Sequence, residues 1–429
     1  MGSNPIGATT GLTCGNAGQA FFVCHRVRRS ADELAARLGR LSPGARQLTA
    51  DKELTNGAPA QAVVQSRRVR SLDGLRGLAA LVVVLHHALL TSVQLAIPYE
   101  RPFGTPVVRW ASWLIYSPLH LVWAGPEAVL VFFVLSGFVL VLPFVNGRGI
   151  AWRAYYPSRL VRLYLPVWAA IAFTLATVAV ASRHSSAPMS GWMMVHDERL
   201  TAGYLGHDAL LVDGVNNLDT PLWTLQWELL FSLLLPLYVV IAARTRRWWP
   251  LAVVVLLAMS EVGLRTGHRA LIYLPVFGLG AVLAANRDRI GALAARWNRT
   301  AWIAVSIVAV LFLVANWTPI GHRRSQLLPI VGAALAVFVF LECPLAQRLG
   351  VSRPLQALGR WSFSLYLIHE PIVVTTALLL RTTNAAIVLA ISLPVSLLAA
   401  AGFFRVIEGP AHALSQRVRA ALSPRATST

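Results

Sequence analysis

Two histidines, His86 and His87, stand inside an apolar run, RSLDGLRGLAALVVVLHHALL, covering residues 70–90. Ionisable side chains in hydrocarbon are costly and mark function by default. Arg76 and His87 are eleven residues apart, a spacing that returns to within about 20° of one helix face. The rise between them is about 16 Å, which predicts the guanidinium at a membrane surface and the imidazole near the bilayer centre. One face of one helix then carries a cation at its mouth and, further in, a base that titrates near neutral pH. His86 points about 100° away and reads as structural.

A buried carboxylate accompanies them. Glu228 closes the stretch PLWTLQWE, residues 221–228, about 9 Å inside an apolar run, where a lone Glu needs a cationic partner or a proton. Arg159 and Arg162, in RLVRLYLP, stand at i, i+3 on one helix face. Guanidinium forks suit phosphates, although such a pair also fits ordinary cytoplasmic charge. Ser136-Gly137, in FFVLSGF, reads mainly as a place where two helices pack closely. GRWSFSLYLIHEP, residues 359–371, sets Tyr366 and His369 in an apolar helix, and its Glu370-Pro371 pair predicts a kink. Glu408, in the late IEGP, is expected at the inner surface. The catalytic candidates are therefore His87, Glu228 and Arg76, and the phosphate-binding candidates Arg76, Arg159 and Arg162. Ser136, Trp223, Tyr366 and His369 are supporting candidates. No metal site is expected, since Cys14, Cys24 and Cys343 lack the spacing of a zinc set.

The elements that position these residues are membrane helices. Of 429 residues, 56% are hydrophobic and only 13% charged, against about 25% charged in soluble chains. The composition predicts an all-α polytopic membrane protein. The formal net charge is +20, but the arginines recur in short loops between apolar runs, a topology signal and not a nucleic-acid footprint. About ten runs are long enough to span a bilayer: 75–96, 122–145, 162–182, 222–243, 248–265, 270–286, 300–317, 325–343, 361–380 and 385–407. The arginine-rich loops, among them Arg153, Arg159, Arg246, Arg289 and Arg353, fall on one side together with both termini, which predicts cytoplasmic termini. Residues 1–66 read as a disordered extension, or as translated sequence ahead of the true start. Residues 67–410 form the membrane domain and 411–429 a short basic tail. The segment 183–221 is then external, and its length and its His196, His207, Asp208 and Asp219 mark it as functional.

In order and spacing, LDGLRGLAALVVVLHH, FFVLSGFVL, RLVRLYLPVW, PLWTLQWELLF and GRWSFSLYLIHEP with the late IEGP resemble acyltransferase family 3, the integral-membrane acyltransferases. The resemblance implies transfer of an acyl group, often acetyl, from cytoplasmic acyl-CoA to a carbohydrate or other hydroxyl acceptor. The family's Arg-x10-His pair falls on Arg76 and His87, its RxxR on Arg159 and Arg162, and its buried Glu on Glu228. Two positions depart from the family pattern: Leu130 replaces an acidic residue, with Glu127 nearby, and His86 stands where Tyr is frequent. The chain ends soon after the last span, so the hydrolase-like domain fused to some members is not expected. The implied donor is acetyl-CoA or another acyl-CoA, the implied acceptor a cell-envelope carbohydrate or lipid-linked sugar, and the implied location the inner (plasma) membrane. His87 would be a general base or a covalent acyl carrier; Glu228 would orient the imidazole or deprotonate the acceptor. Acylation of a small secondary metabolite such as a macrolide is an alternative, and a proton-coupled transporter is one of another class.

Overall fold

Proline and small residues set the helix boundaries in the computed structural model. It describes residues 58–423 except 102–104, 146, 148, 150, 184–188, 197–200, 213–216 and 319–326, and the described residues are helical, with no strand among them. The readings made for residues 1–57, and for positions 184–188, 197–200 and 213–216 of the external segment, lie outside the described residues.

The principal helices are α1 (Ala58–Leu90), α2 (Gly125–Val145), α3 (Trp152–Val180), α4 (Trp223–Leu233), α5 (Leu235–Arg244), α6 (Trp249–Thr266) and α7 (Arg269–Ala294). They continue as α8 (Arg299–Leu313), α9 (Leu327–Glu342), α10 (Pro344–Gly350), α11 (Arg353–Leu380), α12 (Ala385–Phe403) and α13 (Gly409–Leu422). Among the described residues, seven helices are long and apolar enough to cross a membrane, or up to nine if each bent pair is one span. α8, in the expected span 300–317, is a shorter apolar helix outside that count. The many apolar spans expected are present as helices, seven to nine of them meeting that test among the described residues, against the expected total of about ten.

Each broken span has a local cause. The expected run 222–243 is two helices, α4 and α5, bent by 62° at Leu234. Pro236 follows the break; it lacks an N–H for the preceding turn but suits the first turn of a new helix. Pro344 does the same where α9 meets α10 at 87°. Pro371, by contrast, lies inside α11, which runs on through it as one helix.

α1 also ends early. It stops at Leu90, not near residue 96, and a separate helix runs over Val93–Glu100. At the stop, the Thr91 hydroxyl donates to the Ala88 carbonyl at 2.7 Å, satisfying a group the helix leaves open. His87 therefore sits in the last turn of α1. It lies about 4.5 Å from that end and not midway along the helix.

The core is built by close backbone approach. A Cβ at Gly137 of α2 would strike the Phe277 carbonyl, and one at Gly280 of α7 the Val134 carbonyl. Small residues let two helices meet where lipid supplies no hydrophobic drive between them. Likewise a Cβ at Gly77 of α1 would meet the Gly359 amide of α11, so the two glycine-bearing motifs are packed against each other. Replacing Gly137 with valine is expected to cost at least about 1–3 kcal/mol from overpacking, read as a lower melting temperature of the detergent-solubilised protein. Around this core, α6 turns Leu251, Val254, Val255 and Val262 outward, as a helix facing lipid does.

Candidate active site

Two polar clusters lie along α1, one near Arg76 and one at His87. The first is formed by α1, α2, α3, α4 and α11 with a π-helical turn over Phe404–Glu408. Arg159 of α3 donates through Nη2 to Glu228 Oε1 at 2.6 Å and through Nε to Ser232 Oγ at 3.1 Å. The cationic partner that a buried Glu228 requires is thus Arg159, two helices away from His87. Arg76 and Arg162 line the same cavity and make no ion pair or side-chain hydrogen bond with a described residue.

Three cavities meet here, and Arg76 and Phe363 line all of them. The largest, about 300 Å³, is bordered by Arg76, Arg162, Arg360 and His412. The next, about 100 Å³, adds Ser136, Arg159 and Glu228. The smallest, about 30 Å³, ends on Thr224 and Tyr366. Tyr366 is fixed there by Thr224 Oγ1 at 2.8 Å and by donating its hydroxyl to the Pro221 carbonyl at 3.1 Å.

Glu408 belongs to this cluster and not merely to the inner surface. It lines the two larger cavities and accepts from the Ser364 amide at 3.1 Å and hydroxyl at 2.5 Å. A π-helical turn places it there; such turns widen the backbone and recur at functional sites. Sequence reading could have found it from a carboxylate next to Gly-Pro at a helix junction, but its Ser364 partner lies 44 residues away.

The second cluster surrounds His87. Its Nδ1 lies 2.7 Å from His369 Nε2, and the ring of Trp192 stacks on it with centroids 5.5 Å apart. Trp192 comes from the helix Gly191–Met194 of the external segment, whose Trp192 amide donates to Glu100 at 2.8 Å. The adjoining Glu370, fully buried, accepts from the Thr220 amide and hydroxyl, each at 2.5 Å, and from His196 Nε2 at 3.1 Å. His196 Nδ1 also faces an acceptor, the Trp192 carbonyl, at 2.9 Å. Glu370 thereby ties α11 to the external segment at His196 and at Thr220. Beside it, burial lowers the pKa of the Arg183 guanidinium while Glu370 and Asp219 pull it back up. Asp219 is pushed well above the ordinary carboxylate range, first by burial and then by Glu370 and Asp208.

His86 is structural in its contacts. It donates through Nδ1 to the Trp123 carbonyl at 2.9 Å and stacks on the Trp123 ring. Trp223 lies among aromatic rings, 5.2 Å from Tyr273 and 6.4 Å from Phe133 by centroid. Arg76, Arg159, Arg162, Glu228, Ser136 and Tyr366 are brought around the joined cavities; His87 and His369 are brought to each other. Thr220 and Trp192 escaped residue-level sequence reading, and His196 was singled out without its partner, because their partners are far along the chain. The signal that existed was the length of the external segment. Among the described residues, no group of three or more His, Cys, Asp or Glu is arranged to hold a metal ion.

No solved structure matches the chain. Among characterised proteins it is similar to acyltransferase MdmB of Streptomyces mycarofaciens, 26% identical over 335 residues, which covers 70% of this chain and 78% of that protein. Residues 69–405, which hold the His87 cluster and all of the Arg76 cluster except Glu408 and His412, match the acyltransferase domain of family 3, and the chain belongs to that family.

Proposed function

We propose that the protein moves an acyl group, acetyl in the simplest case, from cytoplasmic acyl-CoA to a hydroxyl of a cell-envelope carbohydrate or lipid-linked sugar in the inner membrane. Both termini are then cytoplasmic. The observation that carries this reading is the run of cavities sharing Arg76, bordered by Arg162 and Arg360 at one end and ending on Tyr366 at the other. Arg76 and Arg162, which share these cavities with Asp73 and Glu408 but make no direct ion pair with a described residue, suit the phosphates of a CoA ester. Arg159 is held rigid by Glu228 and lends its charge to the same cavity.

Tyr366 links that cavity to the histidines. Its carbonyl contacts His369 Nδ1 at 2.9 Å, and His369 contacts His87. In this mechanism His87 takes the proton of the acceptor hydroxyl as the oxygen attacks the thioester carbonyl. The carbon–sulfur bond then breaks, and the CoA thiolate leaves with the proton returned from the imidazolium. Glu228 acts through Arg159 and not as a base.

The test is acetyl transfer in membrane vesicles supplied with radiolabelled acetyl-CoA. Label is expected in a glycan or lipid fraction for the wild type. Arg76→Ala is expected to raise KM for the donor about 10- to 100-fold, the worth of a hydrogen bond to a charged group. Label recovered instead in an added macrolide would move the acceptor to small metabolites. Wild-type protein that transfers from no acyl-CoA, but carries protons with a solute, would replace the enzyme reading with the transporter.

A further inference from the structure

His87 and His369 share one hydrogen bond, and its direction follows from its surroundings. Their rings lie 5.0 Å apart at 28°, with His87 Nδ1 2.7 Å from His369 Nε2. A neutral imidazole has one donor nitrogen and one acceptor nitrogen, so a single proton lies between these two rings. Ownership is decided on the far side of His369, where Nδ1 lies 2.9 Å from the Leu365 carbonyl and 2.9 Å from the Tyr366 carbonyl.

Carbonyl oxygens only accept. A bare Nδ1 in that position would set a lone pair against two others, in a residue with no solvent exposure to relieve it. The hydrogen of His369 is therefore on Nδ1, and its Nε2 is an acceptor. The proton between the rings belongs to His87 Nδ1. His87 Nε2 is left with its lone pair and makes no hydrogen bond to a described residue.

We propose that His369 is a positioning residue that fixes His87 as the Nδ1–H tautomer and thereby aims an unprotonated Nε2 at the acceptor hydroxyl. The proposal rests on the acyl-transfer reading above and deepens it. When Nε2 takes the hydroxyl proton, His87 gains a positive charge, and its Nδ1–H remains hydrogen-bonded to a neutral ring that neither gains nor loses a proton. The logic is that of a hydrolase triad, in which a third group sets the tautomer of the base, with a neutral imidazole in place of the carboxylate. The neighbouring carboxylate does not take this part: Glu370 is committed to His196 and Thr220. Trp192, stacked on His87 with centroids 5.5 Å apart, limits rotation of its ring.

The experiment uses full-length protein labelled with [15N]histidine in phospholipid bilayers. Solid-state NMR reads the protonation of each ring nitrogen, and loss of signals in His87→Asn assigns His87. The wild type is expected to show His87 protonated at Nδ1 and bare at Nε2. In His369→Phe, which cannot accept a hydrogen bond, the Nε2–H form is expected to appear. Donor kcat then falls about 10- to 100-fold, the usual cost of losing an orienting partner, while KM for acetyl-CoA stays put. His369→Gln, whose side-chain oxygen accepts from Nδ1–H, is expected to recover most of kcat.

The proposal is overturned if wild-type His87 is protonated at Nε2, if His369 is an imidazolium, if His369→Phe keeps full kcat, or if Gln falls as far as Phe. The nitrogen spectra need no turnover. A wild type that transfers nothing yet shows the Nδ1–H form of His87 supports the pairing and counts against acyl transfer alone.

Discussion

Replacing His87 with alanine is expected to reduce acyl transfer by about 100- to 10,000-fold, the range that a positioned general base contributes. KM for acyl-CoA should hardly move, because the phosphate-binding arginines sit in the other cluster, about 16 Å away along α1. The physical reason for the loss is specific. An acceptor hydroxyl is a poor nucleophile at neutral pH, and removing the base leaves its proton in place as the oxygen attacks the thioester. Alanine also opens a gap under the Trp192 ring, which now stacks on the imidazole. His87→Asn fills that gap without supplying a base. If Asn is as inactive as Ala while the protein keeps its melting temperature, the deficit belongs to chemistry. If both variants transfer at the wild-type rate, His87 is not the base, whatever the acceptor. A general base also predicts loss of kcat at acid pH, as the imidazole becomes protonated.

Replacing Glu370 with leucine is expected to destabilise the fold by about 3–5 kcal/mol, the cost of breaking a buried charged pair by removing one partner. Three donors converge on its carboxylate: the Thr220 amide, the Thr220 hydroxyl and His196 Nε2. Each would be left buried without an acceptor, and the leucine side chain offers none. The damage should be localised. Thr220 begins the turn that leads into α4, and His196 holds the carbonyl of Trp192, so the external segment should loosen first. Hydrogen exchange of residues 190–196 and 219–222 would report this directly. Protection lost there, with α2 and α7 still protected, is the expected pattern. Uniform loss across the bundle would mean that Glu370 supports the whole core. Glu370→Gln should be milder, since an amide oxygen in the place of Oε1 still accepts two of the three bonds.

Much of the architecture is local information. Long apolar runs cannot leave their backbone unpaired in hydrocarbon, so they become helices whatever their neighbours are. The expected runs 122–145 and 270–286 fall on α2 and α7. The glycine of the FFVLSGF stretch likewise announced close packing, and Gly137 lies against the Phe277 carbonyl. Arg76, Arg159, Arg162 and Glu228 were legible as candidates because charge in an apolar setting is anomalous by itself. Helix ends were less legible. A hydropathy run says that a segment is apolar, not where its hydrogen bonding stops, and so α1 was expected to carry past Leu90 and α4–α5 to be one helix.

Pairing was beyond the sequence. Glu228 needed a cation, and the chain offers many; only the packing of α3 against α4 selected Arg159, 69 positions away. His87 and His369 are 282 positions apart, and no periodicity relates them. The same holds for Glu370 and the external segment, whose partners His196 and Thr220 lie 174 and 150 positions away. Residue type and spacing along one helix fix which groups face the interior of the bundle. Which of those groups share a proton depends on separations of a few tenths of an ångström between different helices, set by the close glycine contacts of the core.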